Sequence, residues 1–251
     1  LFPDITYSFY KVWADLYRIP YDTPALDGDF NIIPEDYEKE NGGVIFPNPN
    51  APTGIYMPLE QVEGILKANQ DVVVIVDEAY IDFAGPSALE LIGRYENLLV
   101  VQTFSKSRSM AGMRIGFAIG NQRLIRALND VKYSYNSYTM NLTSIVMGAE
   151  SVRDEAYFKE TTDKIIATRE RAKTRLRELG FTFPDSQANF IFASHPRVPA
   201  CKLFEALKEE QIYVRYFGGE RLCDSLRISI GSDEEMDVLF AFLERYLKDF
   251  S

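Results

Sequence analysis

The chain has 251 residues, 46% of them hydrophobic and 25% charged, the balance of a globular protein with material for a sizeable core. Its net charge of −10, from 27 basic and 37 acidic residues, argues against a nucleic-acid or anionic-membrane surface. Apolar runs such as 72–76 and 238–243 are too short to span a bilayer. Cys201 and Cys223 make neither a disulfide framework nor a metal spacing, which points to a reducing cytoplasm. The lone His195 excludes a multi-histidine metal site and argues against a His-based triad, so no metal is expected.

In chain order, residues 5–17 carry Tyr7, Tyr10, Ala14 and Tyr17 at helical spacing, predicting a helix with these four on one stripe. The opening residues Leu1-Phe2-Pro3-Asp4 read as the end of a strand, so a portion upstream is expected. Gly42-Gly43 precede an apolar strand over 44–46, and the Pro-, Asn- and Gly-rich 47–54 then reads as a loop. Pro58 suits the first turn of a helix with Leu59, Val62, Ile65 and Leu66 on one face. The β-branched run 72–76 predicts a buried strand, and strand–helix–strand at this spacing implies parallel βαβ units. Residues 98–101 and 115–119 predict two more strands.

Beyond Gly120 the pattern is helical, with Leu124, Ile125 and Leu128 on one face and a further helix over 141–149. A long helix is predicted over 157–179, its stripe made by Ile165, Arg169, Ala172, Leu176 and Leu179, with Arg169 burying only its stem. Gly180 stops it. Strands over 190–193, 212–215 and 226–230 and a helix over 202–209 follow. Ser232 to Glu235 matches a capping box opening a last helix. The organisation expected is a large domain over 1–130, connecting helices over 131–180 and a small α/β domain over 181–251.

Three stretches carry chemistry. Asp77 comes straight off the buried strand, where a carboxylate is costly without a positive partner. It can pair with a nearby Arg or Lys, or hold a cationic ring nitrogen. Tyr80, three residues on, can aim a phenol into the same cleft. Lys106 follows Thr103 and Ser105 past the next strand, with Arg114 eight residues later. Hydroxyls and an Arg suit a phosphate, and the lysine suits a nucleophile. All lie at predicted carboxyl ends of strands, where open α/β sheets place ligands.

The order PNPNAPTG, then VDEAYIDF, then TFSKSRSMAGMRIGF resembles the fold-type I enzymes that use pyridoxal 5′-phosphate, and most specifically the histidinol-phosphate aminotransferases. The resemblance runs from LFPDITYSFY to LRISIG. It implies an α/β fold with a mostly parallel sheet sandwiched by helices and a smaller C-terminal α/β domain. It implies Lys106 as the lysine that attaches to the cofactor and later carries a proton, Asp77 on the pyridine nitrogen and Tyr80 on the ring 3-oxygen. Thr103, Ser105 and Arg114 would hold the cofactor phosphate, and Tyr7 would stack on the ring. Arg227, with Arg215 and Asn189, would bind the substrate.

The family commonly has Asn immediately before Pro-Thr-Gly; here that residue is Ala51, so either the preceding Asn50 substitutes or Tyr80 makes the contact alone. The activity implied exchanges an amino group between L-histidinol phosphate and 2-oxoglutarate, in a cytoplasmic homodimer. Aromatic amino-acid transamination and threonine-phosphate decarboxylation are alternatives on the same scaffold. A catalytically silent homologue without cofactor is an alternative of another class.

Overall fold

The computed structural model describes the backbone of residues 1–250 and the side chains of 1–248. Helix α1 (Phe9–Tyr17) is followed by β1 (Val44–Pro47), α2 (Leu59–Ala68), β2 (Val74–Asp77), β3 (Leu98–Thr103) and β4 (Gly116–Gly120). Strands β1, β2 and β3 are parallel, and β4 returns antiparallel beside β3. The sheet order β1-β2-β3-β4 therefore sets the carboxyl ends of the three parallel strands side by side. Val44, Phe46, Val74, Val76, Leu98 and Val100 form one core with α2, whose Val62, Ile65 and Leu66 are fully buried. At about 1.5–3 kcal/mol for each fully buried aliphatic side chain, these three hold α2 on the sheet.

Helices α3 (Gln122–Tyr135), α4 (Leu142–Arg153) and α5 (Glu155–Glu178) lead to β5 (Phe190–Ser194), α6 (Ala200–Glu209), β6 (Arg215–Tyr216), β7 (Ser225–Ser229) and α7 (Asp233–Tyr246). The second sheet, β5-β7-β6, is antiparallel throughout. Ala172 and Leu176 of α5 join Leu203, Leu207, Met236, Leu239 and Leu243 in its core. The capping box is formed: Ser232 Oγ accepts from the Glu235 amide, and Glu235 Oε2 accepts from the Ser232 amide at 2.8 Å. Gly180 (φ 84°) ends the long helix in the left-handed region.

Four expectations change. The strand expected over 212–215 is reduced to the two residues of β6. The α1 stripe is narrower than its periodicity, for Tyr10 and Ala14 are buried while Tyr7 and Tyr17 are exposed. Helix α3 buries none of its residues, and Leu128 is exposed. Arg169 buries its whole side chain rather than its stem. Its guanidinium donates through Nη1 to the carbonyls of Phe83 (2.9 Å) and Ala188 (3.2 Å), and through Nε to the Glu170 carboxylate (2.9 Å), so the buried charge is met by an ion pair and by dipoles from both halves of the chain. Among the described residues no helix is long and apolar enough to cross a membrane.

Candidate active site

The parallel register sets the site. Pro47, at the end of β1, pairs with Asp77, and Asp77 pairs with Val101 two residues before β3 ends at Thr103. The loop after β1 is tied down at Gly54 (φ 79°), where any Cβ would lie 2.2 Å from Ser186 Oγ. The Gly54 carbonyl accepts from the Gln187 amide, so this loop is joined to the strand that begins at Phe190.

Asp77 ends β2 with its carboxylate withdrawn from water. Oδ2 accepts from the Tyr10 hydroxyl at 2.7 Å and Oδ1 from the Ala79 amide at 3.1 Å. Burial pushes its pKa up; the Tyr10 and Ala79 donors and the positive charge of Lys106 oppose that shift. No salt bridge reaches Asp77 among the described residues. Lys106 Nζ lies 5.4 Å from the centre of the Tyr80 ring, which meets Phe190 edge-on at 5.1 Å. Ala51, Tyr80, Phe83, Ala188 and Phe190 form a small core under the site. Next to Lys106, the buried Ser107 donates to Asp82, which fastens the lysine's turn to the segment after β2.

Thr103 Oγ1 sits 2.9 Å from Ser105 Oγ, donates to the Ile115 carbonyl and accepts from the Ser105 amide. Two hydroxyls, three residues and one residue before Lys106, are thus gathered. Arg114 is not brought onto them: it is exposed and donates to the Ala111 carbonyl at 2.9 Å. Asn50 is buried, with Nδ2 donating to the Ile5 carbonyl and to Thr53 Oγ1, and with Oδ1 accepting from Thr6. Both amide donors are committed, so a bond to a ring oxygen requires that one of them be exchanged.

Above this lies a cleft of about 570 Å³, lined by Tyr7, Lys11, Ala51, Arg215, Phe217 and Arg227 among others. Tyr7 is 43% exposed at its edge, its ring stacked at 5.8 Å on Phe9. Arg227 lies 5.0 Å over the Phe190 ring and 5.7 Å over Phe217, and its buried Nε has no partner. Burial and the neighbouring Arg215 push its pKa down. Asn189 is half-buried at the entry to β5, its carbonyl accepting from the Ile230 amide; it does not line the cleft. Another cleft, of about 490 Å³, lies at Ser107–Met113 against α4 and α5, and contains neither Lys106 nor Asp77.

The arrangement passes a fit test for a phosphorylated, cationic ring with an electrophilic carbon. It offers a buried carboxylate without a counter-ion, a lysine across from it, paired hydroxyls and an unpartnered guanidinium. Over residues 1–243 the sequence matches the family described as aminotransferase class I and II. The chain belongs to that family. Its relatives include the histidinol-phosphate aminotransferase of Lactococcus lactis subsp. cremoris (strain SK11), 49% identical over 249 residues, covering 99% of this chain and 70% of that one. Histidinol-phosphate aminotransferase 2 of Dechloromonas aromatica is 52% identical over 240 residues, covering 95% of this chain and 67% of that one.

The fold is shared with solved aminotransferases. The histidinol-phosphate aminotransferase of Clostridium acetobutylicum superposes with a TM-score of 0.92 at 24% identity, covering 99% of this chain and 77% of that one. That of Sinorhizobium meliloti, solved in complex with pyridoxal 5′-phosphate, gives 0.87 at 23% identity, covering 100% and 70%. Asp77 stands at the end of β2, and Lys106 three residues past the end of β3. Two residues of the site escaped the sequence reading. Tyr10 is apolar by periodicity and polar by contact, and Phe217 sits in a loop without periodicity; its place between two arginines is visible only in three dimensions.

Proposed function

We propose that the chain is the catalytic body of a pyridoxal-phosphate-dependent histidinol-phosphate aminotransferase of histidine biosynthesis. It exchanges an amino group between L-histidinol phosphate and 2-oxoglutarate to give imidazole acetol phosphate and L-glutamate. The identity of about one residue in two with named relatives supports the reaction. The observation that carries the substrate class is the Arg215–Arg227 pair, two cations gathered at one cleft with a buried, unpartnered Nε. Such a pair suits a phosphate or a dicarboxylate in a fork of charge-assisted hydrogen bonds.

When bound, pyridoxal phosphate supplies an electron sink that lets the Cα–H bond of an amino substrate ionise. Each role in this reading belongs to a residue of this chain. Asp77 would face the ring nitrogen and keep it protonated. Tyr80 and Asn50 would border the ring 3-oxygen, and Tyr7 would cover one face of the ring. Thr103 and Ser105 would bind the cofactor phosphate, and Arg114 would join them only on leaving the Ala111 carbonyl. Lys106 would hold the cofactor in the resting enzyme, and its free amine would carry a proton at Nζ to or from the substrate carbon. Arg227 and Arg215 would orient the anionic end of the substrate in the cleft they line, which Asn189 does not reach.

We further infer a cytoplasmic homodimer. Phe9, Trp13, Leu16 and Tyr17 expose an apolar face on α1, which supports a covered surface there. A panel of amino donors tests the substrate assignment: histidinol phosphate, histidinol, phenylalanine and threonine phosphate, each with 2-oxoglutarate. Histidinol phosphate is expected to give the highest kcat/KM, and histidinol a far lower one. Equal rates with and without the phosphate would overturn it.

A further inference from the structure

We propose that Tyr10 is a positioning residue for Asp77: its phenol fixes the carboxylate that faces the cofactor ring nitrogen, and so fixes where the proton between the two rests. This rests on the reading above that Asp77 faces that nitrogen. The Tyr10 ring is 3% exposed and packs with Phe2, Ala14, Tyr21 and Ile45, a setting that phenylalanine would fill equally well. A buried tyrosine hydroxyl needs an acceptor, and this one has Asp77 Oδ2 at 2.7 Å. It is the one side chain among the described residues that hydrogen-bonds the carboxylate; the other donor is the Ala79 amide.

The bond has two consequences. First, a carboxylate removed from water favours its protonated form, and a donor aimed at it restores the ionised one. The Tyr10 bond leads the influences that oppose burial at Asp77, ahead of the Ala79 amide and the Lys106 charge. Burial and Asp77 together push the phenol's own pKa upward, so Tyr10 keeps its proton and remains a donor. Tyr7 is the other titratable group facing the phenol, its ring 5.6 Å away and edge-on. Second, the bond ties α1 to the end of β2 across 67 residues of sequence. Because Tyr7 stands just before α1, one hydroxyl registers both the residue proposed for the ring face and the residue proposed for the ring nitrogen.

The test uses holoenzyme loaded with pyridoxal phosphate carrying 15N in the ring, read by 15N NMR, with cofactor affinity measured on the apoenzyme by fluorescence. Tyr10→Phe is expected to move the ring signal toward that of a neutral pyridine and to weaken cofactor binding by about tenfold to a hundredfold, the loss of one hydrogen bond to a charged group. Asp77→Asn is expected to move both further. A fluorinated tyrosine at position 10 alone, a stronger donor in the same volume, is expected to move the signal the other way; it serves also if Tyr10→Phe fails to fold. A wild-type signal and affinity in Tyr10→Phe, or an unmoved signal in the fluorotyrosine protein, with Asp77→Asn displaced, overturns the role of Tyr10. An unmoved signal in Asp77→Asn overturns the placement of Asp77 itself.

Discussion

Arg215 and Arg227 stand directly opposite one another across β6 and β7, and both line the same cleft. Cross-strand partners share a face, so like charges there repel. Neither guanidinium has a salt bridge among the described residues, and Arg227 gives up hydration by its burial. Such a pair is retained at a cost to the unliganded fold and is relieved by an anion. Arg227→Met is therefore expected to raise KM for the phosphorylated substrate at least about thirtyfold, the low end of about 2–5 kcal/mol for truncating one member of a buried charge pair. The same change is expected to leave the melting temperature unchanged or slightly higher. Steady-state kinetics and a thermal melt of one variant check both.

Arg169 links the two sheets' loops. Its Nη1 serves the Phe83 carbonyl, three residues past Tyr80, and the Ala188 carbonyl, two residues before Phe190. Arg169→Met keeps the stem and leaves two buried acceptors unpaired. At about 1–3 kcal/mol for each, unfolding in urea is expected to show a loss of about 2–6 kcal/mol. A loss under 1 kcal/mol would mean that water or a neighbour replaces the guanidinium.

Two buried titratable groups tilt stability with pH in opposite directions. Glu78 accepts from Ser87, the Ala88 amide and Gln102, yet burial holds its pKa above the ordinary 4.5. The folded state then holds more protons than the unfolded one above 4.5, so the Glu78 contribution is lost as pH rises through its raised pKa. His195, buried against Phe181, has its pKa pushed below 6.5 by burial. Here the unfolded state binds more protons, so stability is lost as pH falls below 6.5. Denaturant unfolding across this range is expected to show a shallower acid-side slope in His195→Gln and a weaker decline with rising pH in Glu78→Gln.

Much of this was legible in the residues. The βαβ order follows from a β-branched run and a Pro/Asn/Gly loop, and the capping box at Ser232 from local chemistry alone. Asp77 stands out because a carboxylate straight off a buried strand is costly without a partner, and Lys106 because hydroxyls and an arginine surround it. The direction of β4 is set by pairing, which periodicity does not encode. Arg169 and Tyr10 fell into apolar stripes by spacing, and their polar ends find partners 86 and 67 residues away. Arg114 fits a phosphate by motif, yet its side chain rests on its own turn. Long-range polar partners are three-dimensional facts; strand ends and caps are local ones.

The most direct test follows amino-group transfer in the cofactor-loaded enzyme given histidinol phosphate and then 2-oxoglutarate. One equivalent of L-glutamate per active site is expected in a single turnover, and none from Lys106→Ala under the same conditions. Glutamate formed at an undiminished rate by Lys106→Ala, or none formed by the wild-type enzyme, would contradict the account.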